Sequence, residues 1–145
     1  MKKIKIVVVG LGYVGLSNAL LLAQENNVTA FDIDFDKVNF INKRNSPLAD
    51  EQMNIFLSNE TLDLKAMLPS NEVYKNSDIV LISTPTNYNE TTHCFNTDSV
   101  EETIKIALSK NPKITIIIRS TVPVGFTDQM IEKYQTNDIY FVPEF

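Results

Sequence analysis

The feature that most constrains this chain is Gly10-Leu11-Gly12-Tyr13-Val14-Gly15, set between a β-branched run and an amphipathic segment. Ile4 to Val9 is apolar except for Lys5 and stops at Gly10. A short apolar run bounded by glycine fits a strand buried on both faces. After the loop, Leu16, Ala19, Leu20 and Ala23 recur at i, i+3, i+4, i+7, a helix face that Leu21 and Leu22 widen. In a strand–loop–helix unit of this kind the first glycine permits a tight turn. The second lets the backbone approach a pyrophosphate, and the third lets helix and strand pack closely. The helix N-terminus then offers unpaired amides and the positive end of its dipole to the phosphates.

Asp32 ends a second predicted strand, Val28 to Asp32, about 20 residues beyond the loop. A carboxylate there can accept hydrogen bonds from ribose hydroxyls. The plainer alternative is a strand–turn–helix whose glycines serve only packing, but loop, flanking elements and acid all agree with a dinucleotide site. Asp32, with Asp34 and Asp36 nearby, favours NAD over NADP, because a 2′-phosphate would face these carboxylates and no arginine follows until Arg44. Lys37 lies one helical turn beyond Asp34, placed to reach a ribose hydroxyl or the adenine edge, or else to stand in solvent.

The pattern continues as an alternation. A helix is predicted over Asp34 to Asn42 with Asp34 as N-cap and Val38 and Ile41 inward. Asp50 to Leu57 reads as a short helix, Leu64 to Met67 as a short strand, and Asp78 to Ser83 as a buried strand. A polar loop runs to Thr97, and Asp98 or Ser99 caps a helix whose Val100, Ile104, Ala107 and Leu108 share a face. Ile114 to Ile118 and Ile139 to Val142 read as strands around a helix from Gly125 to Tyr134. Such alternation implies an α/β fold, a Rossmann-type doubly wound parallel sheet with helices on both faces. No repeat, low-complexity tract or linker divides the 145 residues, so one domain is expected.

Composition removes other classes. Thirteen Lys and Arg against eighteen Asp and Glu give a net charge of -5, so binding to a nucleic-acid backbone lacks its electrostatic drive. The single cysteine, Cys94, rules out an internal disulfide framework and a Cys-based zinc site, and no metal is expected. No apolar run reaches the roughly 18 residues of a membrane span. Met1-Lys2-Lys3 superficially offers a signal-peptide start, but Lys5 interrupts the apolar stretch and no cleavage pattern follows. A cytoplasmic protein without membrane or nucleic-acid partners is expected.

Ligands of a doubly wound sheet lie outside the carboxyl ends of its strands. Polar residues cluster at those ends here. Thr84-Pro85-Thr86-Asn87 follows one strand, with Pro85 biasing Thr84 to an extended conformation. Thr84 and Thr86 thereby offer hydroxyls to the crevice, unless the segment is only a turn. Ser120-Thr121-Val122-Pro123-Val124-Gly125 follows another strand. Thr121 can contact the nicotinamide side or a water there, or the segment is a helix entry capped by Ser120 or Thr127. Glu144, after the last strand, is a candidate acid–base or water-orienting group, or a solvated carboxylate. His93 and Cys94 are adjacent, but adjacency does not make a nucleophile–base pair.

The stretches Lys5 to Leu16, Thr84-Pro85-Thr86-Asn87-Tyr88, Ser120 to Thr127 and Pro143-Glu144-Phe145, in this order and spacing, resemble the UDP-glucose 6-dehydrogenase family. The resemblance covers essentially the whole chain and corresponds to that family's amino-terminal NAD-binding domain. It implies oxidation of a UDP-sugar at C6 to a carboxylate in two NAD-dependent steps, by an enzyme that is homo-oligomeric at full length. It implies cofactor contacts from Val14, Asp32, Lys37, Thr86 and Thr121, and Gly10, Gly12, Tyr13, Gly15, Thr84, Pro85 and Ser120 complete the candidate cofactor-binding set. It places Thr121 near a catalytic water and gives Glu144 acid–base handling of the thiohemiacetal and thioester stages. In that family the nucleophilic cysteine and most of the sugar site lie further along. Cys94 does not match that position, so the chain reads as a fragment, expected to bind NAD and not to catalyse alone. UDP-N-acetyl-hexosamine and GDP-mannose dehydrogenases are alternatives within the superfamily, and an NAD-sensing module without chemistry is a third.

Overall fold

A computed structural model of the chain describes residues 3–59, 61–91 and 93–144. Phe145, last of the Pro143-Glu144-Phe145 segment, and Met1 and Lys2 lie outside the described residues. Strands β1 (Lys5–Val9), β2 (Asn27–Phe31), β3 (Leu64–Met67) and β4 (Ile79–Ile82) alternate with helices α1 (Tyr13–Leu22), α2 (Phe35–Asn42) and α3 (Glu51–Leu57). A short ribbon, β5 (Tyr88–Asn89) and β6 (Cys94–Phe95), follows, then α4 (Asp98–Lys110), β7 (Thr115–Ile118), α5 (Phe126–Tyr134) and β8 (Ile139–Phe141).

The six long-range strands form one parallel sheet in the order β3-β2-β1-β4-β7-β8. The chain winds outward from β1 to β3, then returns to the other side of β1 to start β4. This reversal between β1 and β4 is the switch point where a crevice opens. The expected doubly wound α/β architecture is therefore present.

Each face of the sheet carries its own core. Leu16, Ala19, Leu20 and Ala23 of the first helix join Val38, Ile41, Met53 and Leu57 against Ile6, Val8, Val28 and Ala30. On the other face Val100, Ile104 and Ala107 of α4 and Phe126 and Met130 of α5 cover Val7, Val80, Ile116 and Ile118. Adjacent residues of one strand thus serve opposite cores, as the period-2 geometry demands. Truncating any fully buried Leu or Ile here to Ala would cost about 2–5 kcal/mol.

Helix starts follow local chemistry where a carboxylate is available. Asp34 accepts from the backbone N–H of Asp36 and Lys37, and Asp50 accepts from that of Met53. Four expectations need correcting. Leu21 does not widen the buried face; it is exposed, because α1 rests on the sheet along one stripe only. Neither Asp98 nor Ser99 caps α4. Thr97 occupies that position without a side-chain bond, and Asn96 Oδ1 accepts from the Asp98 N–H instead. At α5, Gly125 in a left-handed conformation (φ 84) begins the helix, and neither Ser120 nor Thr127 caps it. The polar loop before Thr97 contains the β5–β6 ribbon, held by an edge-to-face contact of Tyr88 and Phe95. A 3-10 helix over Asn71–Asn76 was also not anticipated.

That 3-10 helix places Tyr74 in the second core, edge-on to Phe31 with ring centroids 5.9 Å apart. Burial pushes the Tyr74 hydroxyl up to about 12 from its ordinary 10.0. A value raised in the folded state means the neutral phenol's contribution is complete below pH 10.0 and lost as pH climbs toward about 12. The unfolding free energy of the wild type relative to Tyr74→Phe is therefore expected to fall across that window in denaturant titrations. A constant difference from pH 9 to about 12 would contradict it.

Candidate cofactor site

The glycine loop is built by contacts between backbones. Gly10 has φ +92, and a Cβ there would stand 2.6 Å from the Ser83 carbonyl oxygen at the end of β4. A Cβ on Gly15 would meet the Gly10 carbonyl oxygen at 1.7 Å. These two glycines let β1, β4 and the first turn of α1 close on one another. Gly12 differs: a Cβ there meets nothing within 4 Å. It is the N-cap of α1, which has no side-chain cap hydrogen bond. The open face of the loop is therefore backbone beside free space, the cradle a phosphate group requires.

That space is a cleft of about 700 Å³ along the carboxyl ends of β2, β1 and β4. Gly10, Gly12, Tyr13, Val14, Asp32, Lys37, Thr84 and Pro85 line it. Asp32 is central. Its Oδ2 accepts from the Leu11 N–H at 2.9 Å, and its Oδ1 accepts from the Asp34 N–H at 2.9 Å. The acid at the end of one strand thus pins the glycine loop at the end of the next. Two carboxylate oxygens carry about four acceptor positions, so capacity remains for a diol. Lys37 Nζ lies 3.5 Å from Asp32 Oδ2, which makes it a partner of the acid.

The remaining sequence-selected residues lie elsewhere. Gly15 is buried behind the loop, and Thr86 is half-buried beyond the lining. Ser120 is buried and donates to the Thr84 carbonyl at 2.7 Å, so it faces protein. Thr121 is exposed after β7, and Glu144 is exposed after β8, ion-paired with Arg119. Neither enters the cleft, although both sit on the same carboxyl edge of the sheet. Cys94 is exposed on the ribbon. His93 there lies 3.5 Å from the Tyr88 hydroxyl through Nδ1. Among the described residues no cluster of three His, Cys, Asp or Glu could hold a metal, and no helix is long and apolar enough to cross a membrane.

Sequence reasoning missed Ser83, Ser99, Ile33 and Pro69 in the lining. Ser83 and Pro69 follow strand ends, and the rule that ligands sit beyond those ends would have found them. Ser99 carried no such signal, since only the packing of α4 beside β4 brings it there.

A site of this construction defines a dinucleotide-binding domain. The pattern of the UDP-glucose/GDP-mannose dehydrogenase family, NAD binding domain, matches residues 4–145. The chain is 45% identical over 97% of its length to a UDP-glucose 6-dehydrogenase of Streptococcus pneumoniae, and 42% identical over 97% to one of Campylobacter jejuni. It spans about 36% of the length of each of these curated relatives. The solved UDP-glucose dehydrogenase of Pyrobaculum islandicum shares the fold, with a TM-score of 0.84 at 19% identity over 99% of this chain and 36% of that one. The chain belongs to the UDP-glucose/GDP-mannose dehydrogenase family and is its NAD-binding domain.

The loop geometry separates two roles that can be measured apart. Gly12→Val is expected to fold normally, since its side chain meets open space, and to lose NAD binding in calorimetry. Gly15→Ala is expected to lower the melting temperature sharply, because its Cβ must displace the Gly10 backbone. Normal NAD binding by a folded Gly12→Val would move the cofactor away from this loop.

Proposed function

We propose that this chain is the cofactor domain of a UDP-glucose 6-dehydrogenase, which at full length oxidises UDP-glucose to UDP-glucuronate with two NAD and assembles as a homo-oligomer. The observation that carries the reading is the 45% identity, along 97% of the chain, to a relative bearing that name. Residues 1–145 form one cofactor-holding unit in this reading, and the sugar site and nucleophilic thiol come from the rest of the enzyme. NAD, when bound, accepts hydride from the sugar alcohol.

The chain's own residues bind and orient. Asp32 receives the adenosine ribose hydroxyls on the acceptor positions that Leu11 and Asp34 leave, and Lys37 steadies that carboxylate. The first turn of α1 beside Gly12 takes the pyrophosphate, with Tyr13 and Val14 flanking it. Thr84 and Pro85 border the nicotinamide half, and Ser120 holds the Thr84 carbonyl in place. Thr86 and Thr121 lie toward the reacting end. Glu144, held by Arg119, is assigned the movement of protons at the oxidised carbon.

Two measurements test this. Calorimetric titration is expected to show tighter binding of NAD than of NADP, because a 2′-phosphate would meet Asp32. Asp32→Ala should weaken NAD about tenfold or more, the size of hydrogen bonds to a charged group. Equal or tighter NADP binding would sink the assignment of Asp32. The purified 145-residue chain is expected to form no NADH from UDP-glucose, because in this reading the site that places the sugar C6 for the first hydride transfer belongs to the rest of the enzyme, and the single thiol, Cys94, stands on the exposed ribbon outside the cleft, away from any second oxidation. Turnover that vanishes in Cys94→Ser would reverse that reading.

A further inference from the structure

Thr84 is held from two directions. Ser99, the second residue of α4, donates its hydroxyl to Thr84 Oγ1 at 2.9 Å and also lies 3.5 Å from the Pro85 carbonyl oxygen. Ser120, just past β7, donates to the Thr84 carbonyl at 2.7 Å. Thr84 and Ser99 both line the cleft. A threonine hydroxyl has one hydrogen to donate and two acceptor positions. Ser99 takes one of these three positions, whichever of the two hydroxyls supplies the hydrogen, since the one Ser99 hydrogen is also within reach of the Pro85 carbonyl oxygen. Among the described residues no other hydrogen bond reaches Thr84 Oγ1, so its remaining positions are open to a ligand in the cleft.

The sheet order fixes which part of a ligand that is. Asp32, the glycine loop and Thr84 stand at the ends of β2, β1 and β4, which are neighbours in that order. A dinucleotide with one ribose at Asp32 and its pyrophosphate at Gly12 has its second ribose at Thr84. We propose that Ser99 is a positioning residue for the cofactor: it orients the Thr84 hydroxyl to hydrogen-bond the ribose on the nicotinamide side. The inference rests on the reading of this cleft as the NAD site.

The test uses the 145-residue chain and two ligands, NAD and ADP, the second of which ends at the pyrophosphate. Ser99→Ala is expected to weaken NAD about threefold to tenfold, the scale of one neutral hydrogen bond, and to leave ADP unchanged. Ser99→Thr, which keeps a hydroxyl, should recover most of the loss. In a Thr84→Val background Ser99→Ala should cost nothing further, as required if it acts through Thr84. Unchanged NAD affinity in Ser99→Ala, an equal loss of NAD and ADP, or the same loss with and without the Thr84 hydroxyl would each overturn the proposal. A wild-type chain that binds neither ligand would overturn the cleft reading and this inference with it. A wild-type chain that binds both, with a neutral Ser99→Ala, overturns this inference alone.

Discussion

The backbone contact between the ends of β1 and β4 is the constraint on which the rest of this structure depends. Gly10 presses against the Ser83 carbonyl where any side chain would collide, and Gly15 presses against Gly10. Three chain segments therefore meet with no side chains between them. This closeness brings the N-terminus of α1 to the sheet's edge and leaves Gly12 facing outward. Asp32 completes the arrangement by accepting the Leu11 N–H, so the second strand fixes the loop that the first strand begins. A mobile glycine loop would hold a phosphate poorly, because ordering it on binding would oppose affinity.

The two cores make this edge available. Each helix layer covers one face of the sheet, which leaves the carboxyl ends of the strands as the surface where polar side chains can gather. Along that edge the character changes with position. At β2 and β1 stand a carboxylate, a lysine and open backbone. At β4 three hydroxyls come together, since Ser99 and Ser120 both bond to Thr84. At β7 and β8 an arginine and a glutamate pair at the surface. In the proposed reading NAD lies at the first two positions along this edge and Glu144 serves the sugar at the last.

Much of this was legible in the order of residues. The glycine spacing, the acid beyond it and the β-branched runs act over short separations, so their consequences follow from local geometry. Among the described residues, the six strands of the main sheet and the five α-helices match expected ones, with ends displaced by up to three residues. The misses share a cause. Leu21 continues an apolar run, yet the width of the stripe that α1 buries is set by the sheet beneath it. Ser99 reads as a cap because a hydroxyl near a helix start usually serves one. Its actual partner, Thr84, is fifteen positions away, across a ribbon that the sequence presents only as polar loop.

The sequence by itself therefore determined the layered α/β fold, the glycine loop and the acid that follows it, because each is encoded within short strand–loop–helix units. The tertiary structure decided which strand ends become neighbours, and with them which side chains reach the cleft. It turned Lys37 toward Asp32, buried Ser120 against Thr84 and kept Thr121 and Glu144 outside the cofactor cleft. The physical reason is that a parallel sheet pairs strands distant in sequence, and the side chains at their ends meet only once both cores have closed.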